Sequence, residues 1–338
     1  MLVTTNTPTM KVSELSENHV FSEYVRILGR GKTGSRSLTQ TEAETAMQMI
    51  LGGQAEEAQI GAFLMLLRVK EESAEELAGF VQASRDAINA PNIRVDIDWS
   101  SYAGKKNQLP WNLLSAKLLA KAGKRVFIHG AAGTQSKRLY TEESAAAIGI
   151  SVCSNWQQAQ QALDDYNICY LSMKNMSPIF YELLFYRRLF GLRSAMHSVA
   201  RLINPLSAPL SLQGVFHPAY GPSHQQASLL LAQTHSAAFK GEGGEAEIRP
   251  DADTKLSLVT NGNAENLVWP RLLAEKAPRL PTLNCHQLNA VWEGTENDTY
   301  GYAATISTAA MVLWLSDTDS SIEAAQAKAA ELWQHRLN

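Results

Sequence analysis

The sequence predicts an α/β protein in two parts: a small N-terminal α-helical domain, then a larger α/β domain with a mostly parallel central sheet. Three observations carry this. Residues 21–90 read as a succession of helices. Beyond residue 91, short β-rich runs alternate with helical stretches, the signature of βαβ units. Two of those runs lead into small-residue, polar loops, and loops at the C-terminal ends of neighbouring parallel strands are where open α/β sheets bind anions. A chain of 338 residues with 45% apolar content has material for one large domain and a smaller one.

Taken in order, residues 1–20 are polar and read as a flexible extension. Tyr24, Ile27 and Leu28 begin a first helix, which the loop at 29–34 ends. Thr39 with Glu42 forms a capping box for a second helix, stopped by Gly52-Gly53. Residues 59–69, QIGAFLMLLRV, are apolar all round and predict a buried helix. Ser73 and Glu76 cap the next, with Leu77, Phe80 and Val81 facing inward. Pro91-Asn92 is the hinge into the second domain, 91–338. Strands are expected at 93–97, 126–128, 168–171, 212–216 and 256–259. Residues 178–202 read as one long helix or two abutting ones, a segment able to pack on the helical domain, and helices close the chain at 303–315 and 320–336.

Net charge is −3, so the whole chain is not that of a strongly basic nucleic-acid binder. The distribution is uneven: residues 101–201 hold 13 Lys/Arg against 5 Asp/Glu, a surplus of +8. Such asymmetry marks either a face for a polyanion or a set of solvated helix faces. The three cysteines, Cys153, Cys169 and Cys285, have no paired spacing, which excludes a disulfide framework and fits free thiols in a reducing, cytoplasmic setting. The N-terminus lacks a signal pattern, and the apolar stretch 303–315 is too short to span a bilayer, so no membrane partner is expected.

Residues 43–87, His129-Gly130, Arg187-Arg188, Gly191-Leu192-Arg193, Asn204-Pro205 and Gly214-Val215 occur in an order that resembles anthranilate phosphoribosyltransferase, of glycosyltransferase family 3. The resemblance covers residues 20–336. It implies a helical domain, an α/β domain, a cleft between them and a homodimer. In that family a Gly-Thr-Gly-Gly-Asp loop holds the pyrophosphate of phosphoribosyl pyrophosphate (PRPP), through close backbone approach and a nest of N–H groups. Here the matching stretch is Ser101-Tyr102-Ala103-Gly104-Lys105-Lys106, with one glycine and no acid. The following Asn-x-Ser-Thr matches Pro110-Trp111-Asn112-Leu113, and Lys-His-Gly-Asn-Arg becomes Ile128-His129-Gly130-Ala131-Ala132. The Asp-Glu pair for Mg²⁺ gives way to Gly243-Gly244-Glu245-Ala246-Glu247. The chain therefore resembles the divergent paralogues, which similarly carry a basic loop and a His-Pro-x-Tyr, here His217-Pro218-Ala219-Tyr220. At least some of those bind nucleic acid as dimers.

The candidate phosphate- or polyanion-binding residues are Ser101, Tyr102, Gly104, Lys105, Lys106, Asn107, His129, Gly130, Lys137, Arg138, Arg187 and Arg193. Lys117, Lys121, Lys124 and Arg125 extend the same groove or lie on a solvated face. Arg187 is the best match to the family's acceptor-site arginine, with pairing to an acid such as Glu182 as the structural alternative. Glu245 and Glu247 are the weakly supported metal candidates, with Mg²⁺ as the ion, against a solvated turn. No catalytic residue is assigned. Two functions are expected to compete: a degenerate homologue holding a phosphate-rich ligand such as single-stranded nucleic acid, and an active glycosyl- or phosphoribosyltransferase or phosphorylase on another substrate.

Overall fold

Caps organise the first domain. Thr39 Oγ1 accepts the Glu42 amide while the Glu42 carboxylate accepts the Thr39 amide, opening helix α2 (Gln40–Leu51). Ser73 and Glu76 repeat the device for α4 (Ala74–Ile88). The buried Glu76 carboxylate also takes the Leu38 amide and the Lys70 ammonium, joining the entry to α2 with the end of α3 (Glu57–Lys70). Together with α1 (Ser22–Gly29) these helices bury Phe21, Phe63, Leu67 and Phe80 against one another. Helix α3 is not buried all round as its apolar run suggests, since Val69 is 85% exposed. The structure, a computed structural model, describes residues 18–31, 33–133, 137–316 and 320–338. The expected extension at 1–20 therefore lies mostly outside the described residues.

The second domain runs β1 (Ile97–Ser101), α5 (Asn112–Lys121), β2 (Val126–Gly130), α6 (Thr141–Ala147), β3 (Val152–Cys153), α7 (Trp156–Tyr166) and β4 (Ile168–Ser172). It continues through α8 (Met173–Met176), α9 (Pro178–Phe185), α10 (Arg187–Phe190), α11 (Met196–Leu202), β5 (Leu210–Val215), α12 (Tyr220–Leu230) and β6 (His235–Lys240). It ends with β7 (Thr254–Thr260), β8 (Asn263–Trp269), α13 (His286–Glu293), α14 (Thr299–Ser316) and α15 (Ile322–Gln334). Among the described residues these make one eight-stranded sheet, ordered β3-β4-β2-β1-β5-β6-β7-β8. The first six are parallel, and β7 and β8 are antiparallel. Strand β1 pairs with β2 on one side and β5 on the other, so sheet growth reverses there. The loops after β1 and β5 flank that switch point, where open α/β sheets bind ligands.

Strand β1 lies four residues later than expected. Ile93 and Val95 are buried but unladdered, whereas Asp98, Ser100 and Ser101 sit inside the sheet because each finds a partner. The segment 178–202 is not one helix. Gly191, at φ +69°, ends α10, and the chain re-enters α11 at Met196. Phe180, Leu183, Met196 and Val199 of α9 and α11 share an apolar cluster with Phe63 and Phe80 of the first domain. The opposite sheet face packs Trp99, Leu113, Trp269 and α14. No described helix is long and apolar enough to cross a membrane.

Candidate functional site

At the end of β1 the chain turns through Tyr102-Ala103-Gly104-Lys105, with Gly104 at φ +70°. That turn aims two successive amides at one oxygen: Ala103 and Gly104 donate to Glu245 Oε1 at 2.7 and 2.5 Å. The Ser101 hydroxyl donates to Glu245 Oε2 at 2.6 Å. The Lys106 and Asn107 amides and the Asn107 side-chain amide converge on Glu242 Oε1 at 2.9–3.1 Å. At the N-terminus of α5, the Asn112 amide donates to Glu247 Oε2 at 2.8 Å. The Lys105 ammonium stands 2.5 Å from Glu247 and 3.3 Å from Glu242. A nest of amides running into a helix N-terminus is an anion site by construction. Here three carboxylates from the loop after β6 fill it. Burial alone pulls the Lys105 ammonium down, but Glu247 and Glu242 outweigh it and hold it above its usual value. Burial, only partly offset by Lys105, pushes the Glu247 carboxyl up.

This geometry corrects several expectations. Lys105 does not face a ligand: it is 1% exposed and neutralises two internal carboxylates. Ser101 and Gly104 serve the same carboxylate cluster, and Asn107 serves Glu242. His129 is fully buried rather than facing the cleft. Its Nδ1 contacts the Tyr102 hydroxyl at 2.6 Å, and its Nε2 lies 3.1 Å from Asp98 Oδ1, near enough to pair but off the line of a good hydrogen bond. Gly130 has no room for a side chain beside the Ser101 carbonyl. Lys117 reaches the Ile148 carbonyl and lies over the Trp292 ring at 4.7 Å. Lys121 donates to Asn338, and Arg125 pairs with Asp164 at 2.8 Å. Helix α5 runs back along the sheet, so its C-terminal lysines lie at the far end from the β1 loop.

Glu245 and Glu247 do not fit a Mg²⁺ site as they stand. Their oxygens accept backbone amides, a hydroxyl and an ammonium, and both side chains are 1% exposed. No group of three His, Cys, Asp or Glu side chains among the described residues is placed to hold a metal ion.

The unpaired positive charge lies elsewhere. Arg187, Arg188, Arg193 and His197, with Tyr102, Tyr140 and Phe185, line a cavity of about 70 Å³ between the β1 and β2 loops and helices α9–α11. None of these three arginines has an ion pair or side-chain hydrogen bond among the described residues, so the pairing of Arg187 with Glu182 does not form. Burial, then the neighbouring Arg201, Arg187 and Arg138, pull the Arg193 pKa to about 10. Arg193 and His197 also line a second cavity of about 140 Å³, beside Arg68, Glu72, Phe216 and Tyr220. Burial, then Arg201 and Arg193, lower the His197 pKa to about 3, so its ring is neutral. His224 behaves alike, lowered to about 3 by burial and then Arg201.

Lys106, Lys137 and Arg138 come together in a third groove of about 610 Å³, bounded by Glu143 and residues 280–283. Arg138 also clamps the Ala103 and Gly104 carbonyls at 3.1 and 2.8 Å. Arg68, Glu72, Ser194 and Phe216 were not legible as site residues. Arg68 and Glu72 belong to the other domain, and they reach the cleft where that domain packs against α11 and α12, Arg68 donating to the Tyr220 hydroxyl.

The comparisons with known proteins agree with this architecture. The glycosyl transferase family model for a helical bundle domain matches residues 22–88, and that for an a/b domain matches residues 106–335. An anthranilate phosphoribosyltransferase of Geobacillus kaustophilus is 26% identical over 274 residues, covering 77% of this chain and 79% of that protein. A protein of Aquifex aeolicus with no assigned activity is 28% identical over 255 residues, covering 75% and 77%. In fold, the anthranilate phosphoribosyltransferase of Thermus thermophilus superposes with a TM-score of 0.77 at 19% identity over 94% of each chain. The Saccharomyces cerevisiae enzyme in complex with PRPP and Mg superposes at 0.75, with 16% identity over 95% of each. With a helical bundle domain joined to an a/b domain over most of its length, the chain belongs to this glycosyl transferase family and is anthranilate phosphoribosyltransferase-like.

Proposed function

We propose that this chain is a degenerate homologue that holds the phosphate backbone of single-stranded nucleic acid in its interdomain cleft, rather than PRPP with Mg²⁺. One observation carries the reading. The amides that would cradle a pyrophosphate already hold Glu242, Glu245 and Glu247, while Arg187, Arg188 and Arg193 crowd one cavity without an ion-pair partner among the described residues. Arginine suits phosphate because its planar fork donates two parallel hydrogen bonds. A cluster of mutually repelling guanidinium groups is relieved by a polyanion. Fluorescence anisotropy with a labelled single-stranded oligonucleotide at low salt tests the proposal. Binding that is lost in Arg187→Glu/Arg188→Glu supports it, and no binding, or binding indifferent to that change, rejects it.

A second reading is retained because Arg187, the best sequence match to the family's acceptor-site arginine, lines a cavity beside the β1 loop. On it, the chain is a glycosyl- or phosphoribosyltransferase or phosphorylase on another substrate. Titration calorimetry with PRPP separates the two, since PRPP binding that requires Mg²⁺ favours the transferase. A homodimer is part of the first reading: Val69 and Leu189 expose 85% and 76% of their surface on α3 and α10, and sedimentation velocity checks it. Its three free, buried cysteines accord with a cytoplasmic location.

A further inference from the structure

Arg193 and His197 form a common wall between the two cleft cavities, and the cavities differ in chemistry. The first presents guanidinium groups, and its mouth suits phosphate. The second, of about 140 Å³, mixes donors with acceptors. Ser194 is 5% exposed and lines it, yet its hydroxyl has no hydrogen-bond partner among the described residues. Glu72 adds a carboxyl whose pKa burial raises. Arg68 reaches in from α3 and donates to the Tyr220 hydroxyl at 3.0 Å. At the rim, Phe216 is 48% exposed and stands edge-on to His217, with ring centroids 4.6 Å apart.

A phosphate offers only acceptors, so Glu72 and the acceptor nitrogen of a neutral imidazole would oppose it. A nucleobase offers both donors and acceptors on its edge and a π-face for an exposed aromatic ring. The size of the cavity and its orphaned Ser194 hydroxyl both suit one base. From this geometry we infer that the cavity between Arg68 and Phe216 takes one nucleobase of the bound strand, while Arg187 and Arg188, across the Arg193–His197 wall, hold an adjacent phosphate. The inference rests on the nucleic-acid reading above and adds a base-dependent component to it.

The test compares a labelled oligothymidylate with an abasic deoxyribose-phosphate strand of the same length, using the full chain. The base-bearing strand is expected to bind on the order of 10-fold more tightly, the scale of one stacked base. Phe216→Ala is expected to remove most of that advantage while changing the affinity for the abasic strand by less than about twofold. Phe216 is half exposed, so folding survives its truncation, and Ser194→Ala supplies a second variant that removes only the orphaned hydroxyl. Equal affinity for the two strands, or equal weakening of both by Phe216→Ala, overturns the base pocket and leaves phosphate binding standing. Failure of both strands to bind at low salt overturns the nucleic-acid reading, and the base pocket falls with it.

Discussion

Lys105 shows how much one side chain's role depends on its surroundings. Its ammonium is buried with Glu247 at 2.5 Å and Glu242 at 3.3 Å, so it is the counter-ion that lets two carboxylates stand inside the domain. Removing one partner of a buried pair leaves the other charge uncompensated, so Lys105→Met is expected to cost about 3–5 kcal/mol. The adjacent, exposed Lys106→Ala should change stability by no more than about 0.5 kcal/mol. Urea denaturation of the two variants distinguishes them. The buried imidazoles His197 and His224 make a second residue-level expectation. Both have folded-state pKa values of about 3, well below the unfolded value. The unfolded chain therefore takes up protons that the folded chain refuses, and stability is complete above about pH 6.5 and falls as pH drops toward 3. Each contributes a slope of about 1.4 kcal/mol per pH unit within that window. Denaturation at pH 7.5 and 5 measures it, and His224→Gln should remove about half of the imidazole contribution.

At the scale of elements, the loop after β6 and the loop after β1 act as an anion and its cradle. The Ala103 and Gly104 amides and the Ser101 hydroxyl all meet Glu245. Truncating that carboxylate should weaken the fold and at the same time free a set of convergent donors. Glu245→Ala is thus expected to bind inorganic pyrophosphate more tightly than the parent does, read by calorimetry. If the variant folds and binds no better than the parent, the cradle has collapsed and the loop's conformation depends on its own carboxylate. The same pair of loops is held by contacts that local sequence does not reveal. Helix caps at Thr39 and Ser73, and strands β2, β4, β5 and β7, were legible because they rest on local spacing and short runs of apolar residues. Strand β8, with Asn263, Ala264, Glu265 and Asn266 all exposed at the sheet edge, lacks an apolar pattern. Strand β1 hides behind Asp98 and Ser100, whose burial depends on His129, Ser211 and Leu212 from neighbouring strands. A loop lysine reads as exposed charge, and the Lys105–Glu247 contact spans 142 residues, beyond any local pattern.

At the scale of the whole molecule, the +8 surplus in residues 101–201 divides into positions that do and do not share the cleft. Lys117, Lys121 and Arg125 lie along or beyond α5 and are engaged with Ile148, Asn338 and Asp164. Arg187, Arg188 and Arg193 face the cleft. The surplus of residues 101–201 therefore overstates the cationic footprint of the cleft, and the salt dependence of binding measures the part that meets phosphate. For single strands the slope of log K against log salt changes by about 0.7 for each phosphate neutralised. Arg187→Ala/Arg188→Ala is expected to reduce the magnitude of that slope by about 1.4 and to weaken binding most at low salt. Lys117→Ala/Lys121→Ala removes the same formal charge from the other end of the sheet and should leave the slope unchanged. Anisotropy titrations between about 50 and 200 mM salt, the range over which counter-ion release is strong, read both variants. Equal effects of the two pairs would mean that the strand responds to total charge and not to the cleft, and the assignment of the cleft as the binding surface would fail.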